Sequence, residues 1–113
     1  MTEEQKIRFS EALLRFAGDC ELLSAMAAMV SEDAPEVLEN LRNQVAADQL
    51  PQVAATAHKL KGMLSTFDTA GPVLDLEELI LSARAGQSQQ VAIYFHSVDG
   101  QVQYLLREIL LLN

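Results

Sequence analysis

Near the end of the chain, Val91, Phe95, Val98, Val102, Leu105, Ile109 and Leu112 recur at steps of four and three. A strand cannot use that spacing, because its successive side chains alternate between faces. A helix turning by about 100° per residue gathers all of them onto one stripe. The same rhythm runs upstream. Phe9, Leu13 and Phe16 lie in a helix over roughly 3–17. Leu22, Leu23, Met26, Met29 and Val30 come next, then Val37, Leu38, Leu41 and Val45. Leu50, Val53, Ala57, Leu60, Leu64 and Phe67 belong to a helix over roughly 49–67. Val73, Leu76, Ile80 and Ala83 form another stripe. Clusters of β-branched residues bounded by turns are missing.

Turn chemistry separates these stripes. Gly18 ends the first helix and Asp19 caps the second. "SEDAPE" at 31–36 predicts a kink or break, with Pro35 in a first turn. Asp48 is read as the cap of the helix over 49–67, "FDTAGP" at 67–72 as a turn, and "AGQS" at 85–88 as a stop that offers Ser88 as the next cap. Gly100 interrupts the last helix. Short loops between long amphipathic helices predict an all-α fold. The expected form is an up-and-down, antiparallel four-helix bundle with a short additional N-terminal helix over one end, residues 1–113 forming one domain.

Composition narrows the function classes. The chain has 113 residues and a net charge of −8, from 16 acidic and 8 basic side chains. An acidic surface repels phosphate backbones and anionic lipid, so neither nucleic acid nor a membrane is the expected partner. No apolar run approaches the ~20 residues that span a bilayer. "MTEEQKIRFSE" at the start is charged and unlike a signal peptide. The single cysteine, Cys20, rules out an intrachain disulfide, and a cytoplasmic location is expected.

Two of the eight basic residues, Lys59 and Lys61, lie in "TAHKLKGML", residues 56–64, between a histidine and a glycine, and the other six are scattered. Glycine inside a helix costs about 1 kcal/mol relative to alanine, so its presence calls for a reason. With His58 set at zero, the apolar stripe of this helix centres roughly 140° away. His58 is therefore expected to face solvent, among Pro51, Ala54, Ala55, Lys61, Gly62 and Ser65. Except for Lys61 these neighbours are small or short. A low surface lets another molecule approach the ring, and Lys61 can place an ammonium beside whatever the ring carries. Histidine offers a free nucleophilic nitrogen near neutral pH, and lysine neutralises phosphoryl oxygens as a point charge. Each feature has an ordinary structural reading, namely a surface histidine, a glycine admitting a neighbouring helix and solubilising lysines. Their joint placement opposite an unbroken apolar stripe favours the chemical one.

At these residues the sequence resembles the histidine phosphotransfer (HPt) domains, whose signature reads roughly A-H-x-L-K-G, beside "AHKLKG" at 57–62. "FAGDCELLSAM", "EDAPEVLENL" and "AADQLPQVAATAHKLKG" resemble the segments that lead to the family's histidine. "TFDTAGPVLDLEEL" resembles more loosely the family's next turn and helix. The resemblance implies a four-helix bundle with His58 as phosphoryl acceptor, Lys61 as the lysine that contacts the phosphoryl group and Gly62 as the glycine that gives it room. It implies a relay between receiver-domain aspartates in two-component systems, without kinase activity. Mg2+ is then supplied by the receiver, and no cofactor or metal is held here. The partners implied are response-regulator receivers or a hybrid sensor kinase, met by a monomer. Ala54, Ala55, Ser65 and Lys59 would form the docking surface. Met63 stands where small residues are common in the family. The positions that approximately match its supporting polar residue on the next helix hold Leu79 and Ile80.

Three rivals stand beside this reading. A non-catalytic helical adaptor would keep its binding without His58. An enzyme using His58 as acid, base or metal ligand would want a second ligand three or four residues away. Those places hold Ala54, Ala55, Lys61 and Gly62, and the only other histidine, His96, has no matching acid cluster. The third is the phospho-accepting domain of a chemotaxis-type kinase, which shares the chemistry but takes its phosphoryl group from ATP and a kinase.

Overall fold

The computed structural model of the protein describes residues 1–112. These form six helices: α1 (Glu3–Arg8), α2 (Ser10–Arg15), α3 (Cys20–Ala46), α4 (Leu50–Leu64), α5 (Pro72–Arg84) and α6 (Ser88–Leu110). The last four pack in a closed ring, α3 on α4, α4 on α5, α5 on α6 and α6 on α3. The result is the expected antiparallel four-helix bundle, 42 Å long and 21 × 19 Å across. Every member of the α6 stripe is buried, as are Val53, Ala57, Leu60, Leu64 and Phe67 from the α4 stripe and Val73, Leu76, Ile80 and Ala83 from α5. Among the described residues no helix is long and apolar enough to cross a membrane.

Gly100 does not interrupt the last helix, since α6 runs unbroken from Ser88 to Leu110, and two other elements depart from the sequence expectation. The first helix is two short ones, interrupted at Phe9, whose buried ring meets Phe67 edge-on at 6.1 Å. The break at 31–36 does not occur, and α3 runs unbroken through Pro35. Proline removes one backbone donor from a helix and crowds the preceding turn. Here the helix survives because Leu23, Ala27, Val30 and Ala34 before it, and Val37, Leu38 and Leu41 after it, all bury on one line while Pro35 points outward. Leu22 and Met29 sit off that line and stay exposed.

The caps divide in the same way. Asp19 caps α3 as expected, its carboxylate accepting from the Leu22 N–H at 3.0 Å. Asp48 does not cap α4. It closes α3 in a left-handed conformation with φ 55°, and Gln49 occupies the cap position. The Gln49 N–H reaches the Gln44 carbonyl and the Asp48 N–H the Val45 carbonyl, so both of those acceptors at the helix end are satisfied. Gly86 does the same for α5 at φ 71°, with Gln87 bonding back to Ser82. Ser88 is consequently the first residue of α6 rather than its cap, and Gln87 takes the cap position without a side-chain bond.

Helix lengths explain the role of the N-terminal pair. α3 and α6 have 27 and 23 residues, whereas α4 and α5 have 15 and 13. At about 1.5 Å per residue the short pair leaves one end of the bundle unfilled. The turn at 65–71 and α1–α2 occupy that end. Phe9 and Ala12 enter the core there. Arg8 bridges Asp68 and Glu108, both at 3.0 Å, and Arg15 donates to the Ser65 carbonyl at 2.9 Å. At the Asp48 turn, a β-branched residue meets a steric cost that an aspartate tolerates. Asp48→Ile is expected to lower stability by about 1–2 kcal/mol while Asp48→Gly preserves or raises it, as urea midpoints will show.

Candidate functional site

α4 is packed between α3 and α5, and one strip of its surface remains outside. Pro51, Ala55, His58, Lys59 and Gly62 are all exposed on that strip. His58 thus faces solvent near the middle of the helix, as the apolar stripe predicts.

The strip is narrower than a helical wheel of α4 alone implies. Ala54, expected on the surface beside His58, is instead buried, 7 % exposed. It lies only about 40° around the helix from His58, on the same side as Lys61. Lys61 meets Glu77 of α5, so α5 packs against the flank on which the short alanine side chain is buried. Ser65, farther along the same flank, is half-buried. Its hydroxyl donates to the Lys61 carbonyl at 2.6 Å. Across the strip, Lys59 and Met63 border a groove whose α3 wall is made by Asp33, Glu36, Val37 and Asn40.

Lys61 does not stand free. Its Nζ donates to Glu77 Oε2 at 2.5 Å. The hydrogen bond from Lys61, and then its charge, hold the Glu77 carboxyl below the ordinary carboxylate range, with smaller contributions from Arg84 and His58. Because the carboxyl is depressed, the pair persists at neutral pH and is lost only as pH falls into the acid range. Glu77 therefore belongs to the His58 neighbourhood, although nothing in α4 alone points to it. Leu79 and Ile80, which approximately match the family's supporting polar position, are both buried and present no polar group. A signal for Glu77 does exist in the sequence. It follows the buried Leu76 by one step, at the edge of the α5 stripe, where an antiparallel neighbour brings it to α4.

The bareness of Gly62 has no cause inside the fold. A Cβ built on it meets no atom within 4 Å. No neighbouring helix requires a glycine there, so the packing explanation fails and the open space lies outside the protein. Among the described residues no group of three or more His, Cys, Asp or Glu side chains is placed to hold a metal ion. Gly62→Ala should accordingly stabilise the fold by about 0.5–1 kcal/mol, seen as a higher urea midpoint with unchanged slope. A loss of stability would mean that the glycine serves the fold itself.

Comparison with known proteins bears on the fold and the family. No curated protein and no solved structure matches the chain. The family model of the Hpt domain matches residues 25–108, from within α3 to near the end of α6. Hpt domains carry phosphoryl groups on histidine in phosphorelays, and they interact with receiver domains and kinases of two-component systems. With most of its length matched, and the four-helix bundle in place, the chain belongs to the Hpt domain family.

Proposed function

We propose that His58 is the phosphoryl acceptor, taking the group from the aspartyl phosphate of one receiver and passing it to the aspartate of another. The observation that carries this reading is an outward histidine in the middle of a rigid helix, with the open space at Gly62 one turn beyond it. A ring nitrogen of His58 attacks the phosphorus in line, and the new N–P bond forms as the acyl-phosphate P–O bond breaks. The electron pair of that bond leaves with the receiver's carboxylate, and the other ring nitrogen keeps its hydrogen. The reverse sequence returns the group to a receiver.

Little covalent work falls to the protein in such a step, which depends on alignment and charge neutralisation. Lys61 supplies positive charge beside the transferred group. Ala55 and Gly62 leave room for the receiver's face, and Lys59 contributes to steering. Ala54, at 7 % exposure, offers the receiver little surface. Ser65 bounds this surface through the backbone it locks. Mg2+ enters with the receiver. The chain acts as a carrier without kinase activity of its own, working as a monomer in the cytoplasm. Its docking contact is of transient size.

Incubation with a radiolabelled phospho-receiver tests the reading. His58→Gln should abolish label capture, and capture at the normal level by that variant would defeat the proposal. Lys61→Ala should slow transfer by about tenfold with helix content preserved. Gly62→Gln should slow it through obstruction, and a normal rate would remove the access argument. Labelling only by ATP and a kinase, with no uptake from any receiver, would favour the chemotaxis-type alternative.

A further inference from the structure

The ion pair between α4 and α5 bears on the charged state of the site. Lys61 follows His58 by three residues on the α5 flank of α4, and its ammonium is already held by Glu77 at 2.5 Å. Both side chains are partly exposed, at 31 % and 41 %, so neither is locked in by packing. A phosphoryl group on His58 would bring up to two negative charges to a place where one carboxylate already occupies the lysine. Ion pairs at such exposure are weak enough to exchange partners.

We infer that Glu77 is a positioning residue that competes with the phosphorylated His58 for Lys61, and so limits how far the phosphoryl state is stabilised. The inference rests on His58 being the acceptor. In the bare protein Glu77 keeps the ammonium on the α5 side. After phosphorylation Lys61 swings to the phosphoryl oxygens and leaves Glu77 to solvent, which is accessible to it, and to the charge of Arg84. A carrier must release its cargo as readily as it takes it up. An unopposed lysine would favour retention, and Glu77 offsets that preference. Glu77 acts through Lys61 and touches no reacting atom. It differs in this from a polar residue that supports the phosphoryl group directly, a position that Leu79 and Ile80 leave apolar.

The experiment needs no receiver. Phosphoramidate phosphorylates the intact chain: a ring nitrogen of His58 forms the N–P bond, and the donor's P–N bond breaks. Its electron pair departs with ammonia, and the second ring nitrogen keeps its hydrogen. The 31P resonance of the phosphohistidine is then followed against pH to find the midpoint of the phosphoryl group's last ionisation. A freed lysine favours the dianion and lowers that midpoint. Glu77→Gln should raise the acid dissociation constant about two- to fivefold, with helix content unchanged, and Glu77→Asp should stay nearer to the parent. In a Lys61→Ala background the effect of Glu77→Gln should largely disappear. A midpoint that stays in place or rises in Glu77→Gln overturns the inference. So does a shift that persists in full without Lys61, which would mark simple repulsion by Glu77. In both cases a His58 that still takes up the label leaves the acceptor reading intact. A parent protein with no phosphohistidine at all, where His58→Gln behaves identically, removes that reading and the inference with it.

Discussion

The grip of two neighbours on α4 is the constraint on which the rest of the molecule depends. α3 holds one flank and α5 the other, and the buried line through Val53, Ala57, Leu60 and Leu64 fixes the rotation of the helix about its axis. Once that rotation is set, His58 has one direction left to it. A side chain on a loop would have to be ordered before each reaction. A side chain on a packed helix starts from a backbone already fixed, whose conformational entropy was lost on folding.

Most of this arrangement is legible in the chain because it depends on local periodicity. A helical stripe reports its own opposite face, so the outward histidine needs no tertiary information. What the sequence conceals depends on a second element. Ala54 reads as surface on an isolated α4, and only the position of α5 shows that it is covered. Lys61 reads as a free cation until the register between α4 and α5 brings Glu77 to it across 16 residues of sequence. Pro35 reads as a break by the local rule, yet buried residues on both sides outweigh the lost hydrogen bond. Asp48 shows an ambiguity of another kind, since aspartate is favoured both before a helix and in a left-handed turn after one. The backbone bonds from Gln49 to Gln44 show which of these roles it takes here.

Charge gives the site a context. The molecule carries a net −8, yet the strip around His58 holds Lys59 and Lys61. Asp33 and Glu36 rise from α3 beside it. A partner approaching this strip meets both signs of charge rather than a uniform field. Such mosaics discriminate among partners by juxtaposing like charges in wrong complexes, and they do so without requiring high affinity.

The amino-terminal helices close one pole of the bundle and hold the end of α4 from outside. Arg15 secures the Ser65 carbonyl, Arg8 secures Asp68, and Phe9 seals Phe67. Whatever loosens that plug would let the histidine-bearing helix fray from its final turn, about one turn past the ring. Fluorophores, affinity handles or fused reporters are therefore better attached at the opposite pole, on the bends at 47–49 or 85–87, where the chain turns without touching the plug.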